Sequence, residues 1–441
     1  MSLYNITFII YSGNNKKSNM HLLNLLFFTL AFLSHNVYSS FNTSVIPITK
    51  DDQTSLHKIT WGYQVRQWDG EPYLLLDLEA PFTWKDIKIT HSEVACGLEE
   101  GCRFPVRCDT VLCKEAKSYI NPSCPSLNVT NKYGCNICSV TPHNPVSNVC
   151  KVSQLTTDLA ELYSTNGRNP SQGPRWPFGT EFVLSCAPES LTQSSPKDVR
   201  GVAGFSWSGL CFPRQLASTG VTNAAKFALC LPSSSSALGV TFLGEGPFYF
   251  TSNVKVDLRS YLSYTPMVRK SPKSLGYYIK VNRILIKGTP VNSIPKGSSV
   301  KISSRVAYTT LRSDIYKALV ASFTKATTGI PQVPAVKPFG LCFKDGAFGS
   351  GGVPKIDLET ESGKVWSISG ENSIKRVGNG VACLAFVDGG SKVTDLIVIG
   401  TFQMENNFLY FDLVNEKLGF SSSLLARGTS CGGFNFTQVG N

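Results

Sequence analysis

Along most of this 441-residue chain the apolar positions fall in short runs of Val, Ile, Leu, Phe, Tyr and Thr, closed off by Gly, Pro, Ser and Asn. That is the pattern of β-strands. Residues 182–186, 239–244, 277–281 and 396–400 are typical cases. Helical spacing is scarce: Ile315, Tyr316, Leu319, Val320 and Phe323 recur on one face, and Ser313 stands before them as a capping residue, which predicts a helix over 313–323. The serine run 233–236 reads as a loop, because Leu229-Cys230-Leu231 precedes it and Val240-Thr241-Phe242 follows. One internal repeat is visible. An apolar run ends at Asp77-Leu78-Glu79 in the first half, and a matching run ends at Ser303-Ser304-Arg305 in the second.

The length exceeds one ordinary core and predicts two domains. We divide the chain into an N-terminal extension with a signal peptide (1–40), a first lobe (41–248) and a second lobe (249–441), with the linker near 248–262. Lys16 and Lys17, the apolar run 21–33 and the polar exit at Val37 and Ser39 occur in the order of a secretory signal. Either Met1 or Met20 serves as the start. No later apolar run is long enough to span a membrane, so the expectation is a secreted, extracellular or cell-wall protein without membrane association once the signal is removed.

Secretion changes the reading of the fourteen cysteines, eight of which lie between Cys96 and Cys150. An oxidising compartment favours disulfides, and the even count permits seven, with the connectivity open. Cys135-Asn136-Ile137-Cys138 has the spacing of a metal knuckle or redox pair, but no second pair with His at finger spacing follows, so no metal is expected. Asn42, Asn128 and Asn435 head sequons that secretion would expose to glycosylation, whereas Asn169 is followed by proline. A net charge of +12 favours acidic partners; nucleic acid is not expected, because no basic cluster is interleaved with aromatics.

Several chemistries are weak. Residues 204–209 have one residue too many for a nucleophile elbow, and 349–352 lack the lysine of a phosphate loop. His57, His91 and His143 are scattered and read as surface residues; His21 and His35 belong to the signal segment. No cofactor is implied.

The motifs together resemble the pepsin-like aspartic protease superfamily, and within it the non-proteolytic plant branch of basic 7S globulins, extracellular dermal glycoproteins, xyloglucan-specific endoglucanase inhibitors and xylanase inhibitors. The resemblance runs from about 44 to 437. It is carried by Val45-Ile46-Pro47-Ile48, Leu76-Asp77-Leu78 with Trp84, Pro105-Val106-Arg107-Cys108, Leu184-Ser185-Cys186-Ala187-Pro188, Phe227-Ala228-Leu229-Cys230, Cys383-Leu384-Ala385-Phe386, Ile399-Gly400-Thr401-Phe402 and Leu418-Gly419-Phe420-Ser421. It implies an all-β bilobal fold with a few short helices and a disulfide-rich first lobe. Active members carry Asp-Thr/Ser-Gly in both lobes. Here Asp77 is the remnant first acid, Leu78 removes a hydroxyl that ties the lobes together, Glu79 replaces a glycine, and Ser303 stands where the second acid belongs. No tyrosine falls between Tyr133 and Tyr163, where the flap tyrosine is expected. One acid cannot supply both halves of a shared-proton pair, and Glu79 or Asp86, as neighbouring loop residues, are expected to point elsewhere. An atypical endopeptidase is the enzyme alternative.

For relatives that inhibit endoglucanases, the resemblance implies an arginine from each of two second-lobe loops entering the target cleft and pairing with its two carboxylates. Arg427 matches one of these positions, Gln332 stands at the other, and Lys337 is a nearby point charge. The implied partner is a secreted glycoside hydrolase, of endoglucanase or xylanase type; with half of the arginine pair missing, a non-inhibitory storage or binding globulin is the second alternative. Cys211 is an addition to the family pattern.

Overall fold

The computed structural model describes residues 43–60, 73–86, 104–119, 124, 136–160, 162–168, 180–250, 255–291, 294–349 and 352–436. The signal segment, the sequon asparagines Asn42 and Asn128, and His91 lie outside them.

The repeat seen in the sequence is a duplicated arrangement of strands. Tyr73–Asp77 runs parallel to Val199–Gly204, with Asp77 opposite Gly204; Ser298–Ile302 runs parallel to Ile397–Ile399, with Ile302 opposite Ile399. In the first half Thr83–Asp86 lies antiparallel to Val199–Gly204 and parallel to Thr180–Ala187. In the second, Thr309–Leu311 lies antiparallel to Ile397–Ile399 and parallel to Phe386–Asp388. Tyr73–Asp77 and Ile397–Ile399 read as continuous apolar runs because buried parallel strands are covered on both faces, whereas Ser298–Ile302 alternates buried and half-buried positions. The correspondence extends to single hydrogen bonds: Gly204 N donates to Thr83 Oγ1 and Gly400 N to Thr309 Oγ1, each at 3.2 Å. Both glycines are required sterically, since a Cβ would lie 2.8 Å from Ala80 O at Gly204 and 2.5 Å from the Tyr308 carbonyl carbon at Gly400. The next residue of the second half, Ser303, therefore stands in register where Asp77 stands in the first.

The two halves share sheet and core. Lys226–Cys230 pairs with Phe408–Asp412, and Ser263–Val268 with Lys417–Phe420. Phe227 and Phe411 stack across the first seam with centroids 4.6 Å apart, and one buried apolar cluster runs from Ile46 to Phe420. The Cys230–Cys431 disulfide closes the same seam. The serine run 233–236 is the expected loop, between Lys226–Cys230 and Gly239–Leu243.

The predicted helix forms and is longer, Ser313–Ala326, burying Ile315, Leu319 and Phe323. Ser313 is not its cap. Arg312 holds that position without a side-chain capping bond, and Ser313 is the first helical residue, its hydroxyl donating to Asp388 Oδ1 at 2.6 Å. No helix of the described residues is long and apolar enough to cross a membrane.

The cysteines depart from complete pairing. Cys113–Cys138, Cys124–Cys150 and Cys342–Cys383 are bridged, whereas Cys108 and Cys211 are free, so seven bridges do not form. Cys138 is bonded to Cys113 and is unavailable to a knuckle with Cys135. Cys211 is fully buried, and that burial pushes its thiol up to about 12. A thiolate is the reacting species. In a Cys108→Ser variant, Cys211 is expected to resist a thiol reagent in the native state at pH 8 and to label only as denaturant opens the fold; prompt labelling without denaturant contradicts its placement.

Candidate functional site

Asp77 ends its strand fully buried, and both of its oxygens face a cation from the other half. Arg305 Nε donates to Asp77 Oδ1 at 2.9 Å and to Oδ2 at 3.0 Å, while Glu79 N donates to Oδ1 at 2.8 Å. Glu79 does not point away from this centre. Its Oε1 accepts from the Ser303 hydroxyl at 2.6 Å, and its Oε2 lies 2.6 Å from Lys301 Nζ and 3.7 Å from Arg305 Nη1. Lys301 Nζ continues to Asp395 Oδ2 at 3.7 Å, and Asp395 pairs with Lys270. The result is a chain of alternating charge running from the buried Asp77 to Lys270 at the surface.

Burial pushes the Glu79 carboxyl up, but Arg305, Lys301 and the Ser303 bond outweigh it and hold the group below its ordinary value. Burial also works against the Arg305 charge; Asp77 and Glu79 more than offset it, so the guanidinium is held above its ordinary range. A shared proton requires two like charges forced together so that one is neutralised. Here each carboxylate has cationic partners instead. Of the hydroxyl ties between halves, the one Leu78 cannot make is absent, yet Leu78 N donates to Ser304 Oγ at 3.0 Å and keeps the loops joined.

Sequence reasoning underrated Glu79, although a signal was present: Asp77 and Glu79 alternate on one loop as Lys301, Ser303 and Arg305 alternate on the other, two negatives facing two positives. Asp86 behaves as expected, pairing with Arg200 at 2.7 Å on a strand apart from Ser303. His143 was missed as well. It is half-buried, its carbonyl accepts from Trp84 Nε1 at 3.1 Å, and Nε2 bonds Asn148 Oδ1 at 2.8 Å. Burial lowers its pKa against the Asn148 bond, and the charges of Arg305, Asp77 and Glu79 act on it less.

His57 overturns the expectation of surface histidines. It is 1 % exposed, with Nε2 bonded to Pro232 O at 3.0 Å and 4.0 Å from Glu405 Oε1. Lys50 Nζ lies 2.7 Å from the same Glu405 oxygen and donates to Ser233 O at 3.2 Å. Lys50 and His57 come from the hairpin Ser44–Lys50/His57–Thr60, and Glu405 from the end of the Thr401–Met404 helix, so this buried cluster joins the halves a second time.

The residues singled out for partner binding fall on separate elements. Gln332 is exposed at the start of a two-residue strand that pairs with Cys342–Lys344; Lys337 is exposed further along the same loop. The loop is held by the Cys342–Cys383 bridge and by Phe339, buried against Tyr308 with centroids 4.8 Å apart. Arg427 lies at the end of the short helix Leu424–Arg427, exposed, its guanidinium 4.2 Å above the Tyr261 ring. Asn435 is half-buried between Phe434 and Phe436.

Duplicated strand arrangements that meet at Asp77 and Ser303 define a bilobal, pepsin-like protein whose centre is occupied by internal ion pairs. Residues 63–245 match the Xylanase inhibitor N-terminal family and residues 276–422 the Xylanase inhibitor C-terminal family. The chain belongs to this family of pepsin-like plant proteins. Among its relatives are Chitinase CLP of Oryza sativa subsp. japonica, 35% identical over 89% of this chain and 91% of the relative, and Basic 7S globulin of Glycine max, 30% identical over 93% and 96%. Gamma conglutin 1 of Prunus dulcis is 38% identical over 75% and 77%. The crystal structure of edgp superimposes with a TM-score of 0.73 at 32% identity, covering 90% of this chain and 98% of that one; conglutin gamma from lupine seeds gives 0.74 at 30%, covering 91% and 100%.

Proposed function

We propose that this protein is a secreted, glycosylated, catalytically inactive member of the family that binds a glycoside hydrolase of the plant cell wall and blocks its cleft. The observation that carries the inactive reading is the Arg305 Nε–H shared between both oxygens of Asp77, since an acid held by a guanidinium cannot act as base on a water. Ser303, at the register position of a second acid, offers a hydroxyl that is already committed to Glu79. Usefulness then lies on the surface. The disulfides support an oxidising compartment. The match to the xylanase inhibitor families supports a hydrolase partner, and Lys337 on the anchored loop, together with exposed Arg427, supplies cationic contacts for acids in a glycosidase cleft.

Titration against microbial xyloglucanase and xylanase tests the partner. Arg427→Ala is expected to weaken inhibition at least about tenfold, or about 1.4 kcal/mol. Gln332→Arg is expected to strengthen it. If no form inhibits, including Gln332→Arg, the uncharged Gln332 marks a storage or binding globulin instead. Incubation with denatured protein at pH 3 to 5, with and without pepstatin, tests the endopeptidase alternative; pepstatin-sensitive cleavage lost in Asp77→Ala defeats the inactive reading.

A further inference from the structure

Among the described residues, every arginine except Arg168 and Arg427 has a carboxylate or carbonyl acceptor for its guanidinium. Those two lie over tyrosine rings instead, Arg168 4.8 Å from the Tyr249 centroid and Arg427 4.2 Å from that of Tyr261. An aromatic face attracts a cation without occupying its N–H groups. The guanidinium donors of Arg427 therefore have no acceptor among the described residues, although the side chain rests in one place.

Its backbone is fixed as well. Leu424 is fully buried and its N donates to Asn406 O at 2.7 Å, while Cys431 N donates to Asn406 Oδ1 at 3.1 Å, so one residue ties both ends of the 424–431 segment. The Cys230–Cys431 disulfide adds a covalent tie. Gly428, left-handed at φ 71°, closes the short helix with its N donating to Leu425 O at 3.1 Å. Tyr261 is anchored in turn. It ends the 3-10 turn Leu258–Tyr261, capped by Asp257, and is half-buried against the cluster that contains Leu258 and Leu424. Its hydroxyl bonds no described residue, so the ring alone meets Arg427.

A long side chain that moves freely loses that freedom when a partner captures it, and the loss weakens binding. Stacked Arg427 has lost much of it beforehand. Its planar fork, unpaired and exposed, suits the two oxygens of a carboxylate. We propose that Tyr261 is a positioning residue, which holds Arg427 ready as the anchor for a carboxylate of the partner hydrolase. The partner rests on the reading given above; the pairing of Tyr261 with Arg427 does not.

The full chain, labelled with 15N at arginine, is measured first without a partner. The Arg427 Nε–H resonance, assigned with Arg427→Lys, is expected to be displaced by the ring in the wild type and in Tyr261→Phe, and to return to the position of a free arginine in Tyr261→Leu. A wild-type resonance already at that position overturns the proposal, whether or not any variant folds. Inhibition constants for microbial xyloglucanase and xylanase are then compared. Tyr261→Leu should weaken inhibition about threefold or more, Tyr261→Phe should match the wild type, and Tyr261→Leu should add nothing to Arg427→Ala. An equal loss from Tyr261→Leu with and without Arg427 overturns the positioning role, as does no loss where Arg427→Ala weakens inhibition. If the wild type inhibits neither enzyme, the partner reading fails, and the resonance alone decides whether Tyr261 holds Arg427.

Discussion

Lys50→Met is expected to destabilise the protein by about 1–3 kcal/mol at pH 8, measured by chemical denaturation, because it leaves buried Glu405 without its counter-ion and forces a carboxyl already raised to about 7 to take up a proton. Removing both partners in Lys50→Met/Glu405→Leu should recover most of that loss, since two apolar side chains avoid the desolvation that the ion pair must offset. The pH dependence follows from opposite shifts in one cluster. Burial raises Glu405 to about 7, so its contribution is present below its ordinary value of 4.5 and is lost as pH rises through 7. Burial and Lys50, against the Pro232 bond, lower His57 to about 4, so its contribution is present above 6.5 and is lost as pH falls toward 4. Between about pH 4.5 and 6.5 the two slopes oppose each other. His57→Gln should therefore unmask a stability that falls as pH rises across this window, whereas Glu405→Gln should unmask one that rises. Equal slopes in both variants would contradict the buried placement.

Arg305→Met is expected to cost about 3–5 kcal/mol at pH 7, because Asp77 would keep its burial and lose the guanidinium whose Nε–H is shared by both of its oxygens. Arg305→Met/Asp77→Asn should be less destabilised than the single variant, a coupling that only neighbours display. In the wild type the lowered pKa of Glu79 contributes stability that is present above its ordinary 4.5 and is lost as pH falls below it; without Arg305 one of its cations is gone, the group is lowered less, and that acid-induced loss should shrink. The variant also probes chemistry. It frees Asp77 in the presence of Glu79, and it is still expected to cleave no protein, because Glu79 remains committed to Lys301 and Ser303. Pepstatin-sensitive cleavage by Arg305→Met would make Arg305 a built-in inhibitor of a competent site.

The strands were legible because a buried parallel strand has few ways to be written: Leu74-Leu75-Leu76 and Ile397-Val398-Ile399 declare themselves without context. The long helix was legible for the same reason, through its repeating apolar face, while the partner of Ser313 was not, since Asp388 comes from 75 residues away. Glu79 was misjudged because its direction depends on Ser303 and Lys301, across the seam, rather than on its own loop. His57 looked like a surface residue for want of any local sign that Pro232 and Glu405 would close over it.

By itself, then, the sequence determined what is periodic and local: the mostly-β class, the duplicated strands, the family, and the absence of an acid at residue 303. Only the tertiary structure decided what each charge does, which cysteines stay reduced, and how the halves are joined. Hydrophobic periodicity acts between near neighbours and is written residue by residue, whereas the partner of a buried charge is whatever group the fold brings within about 3 Å of it, from any distance along the chain.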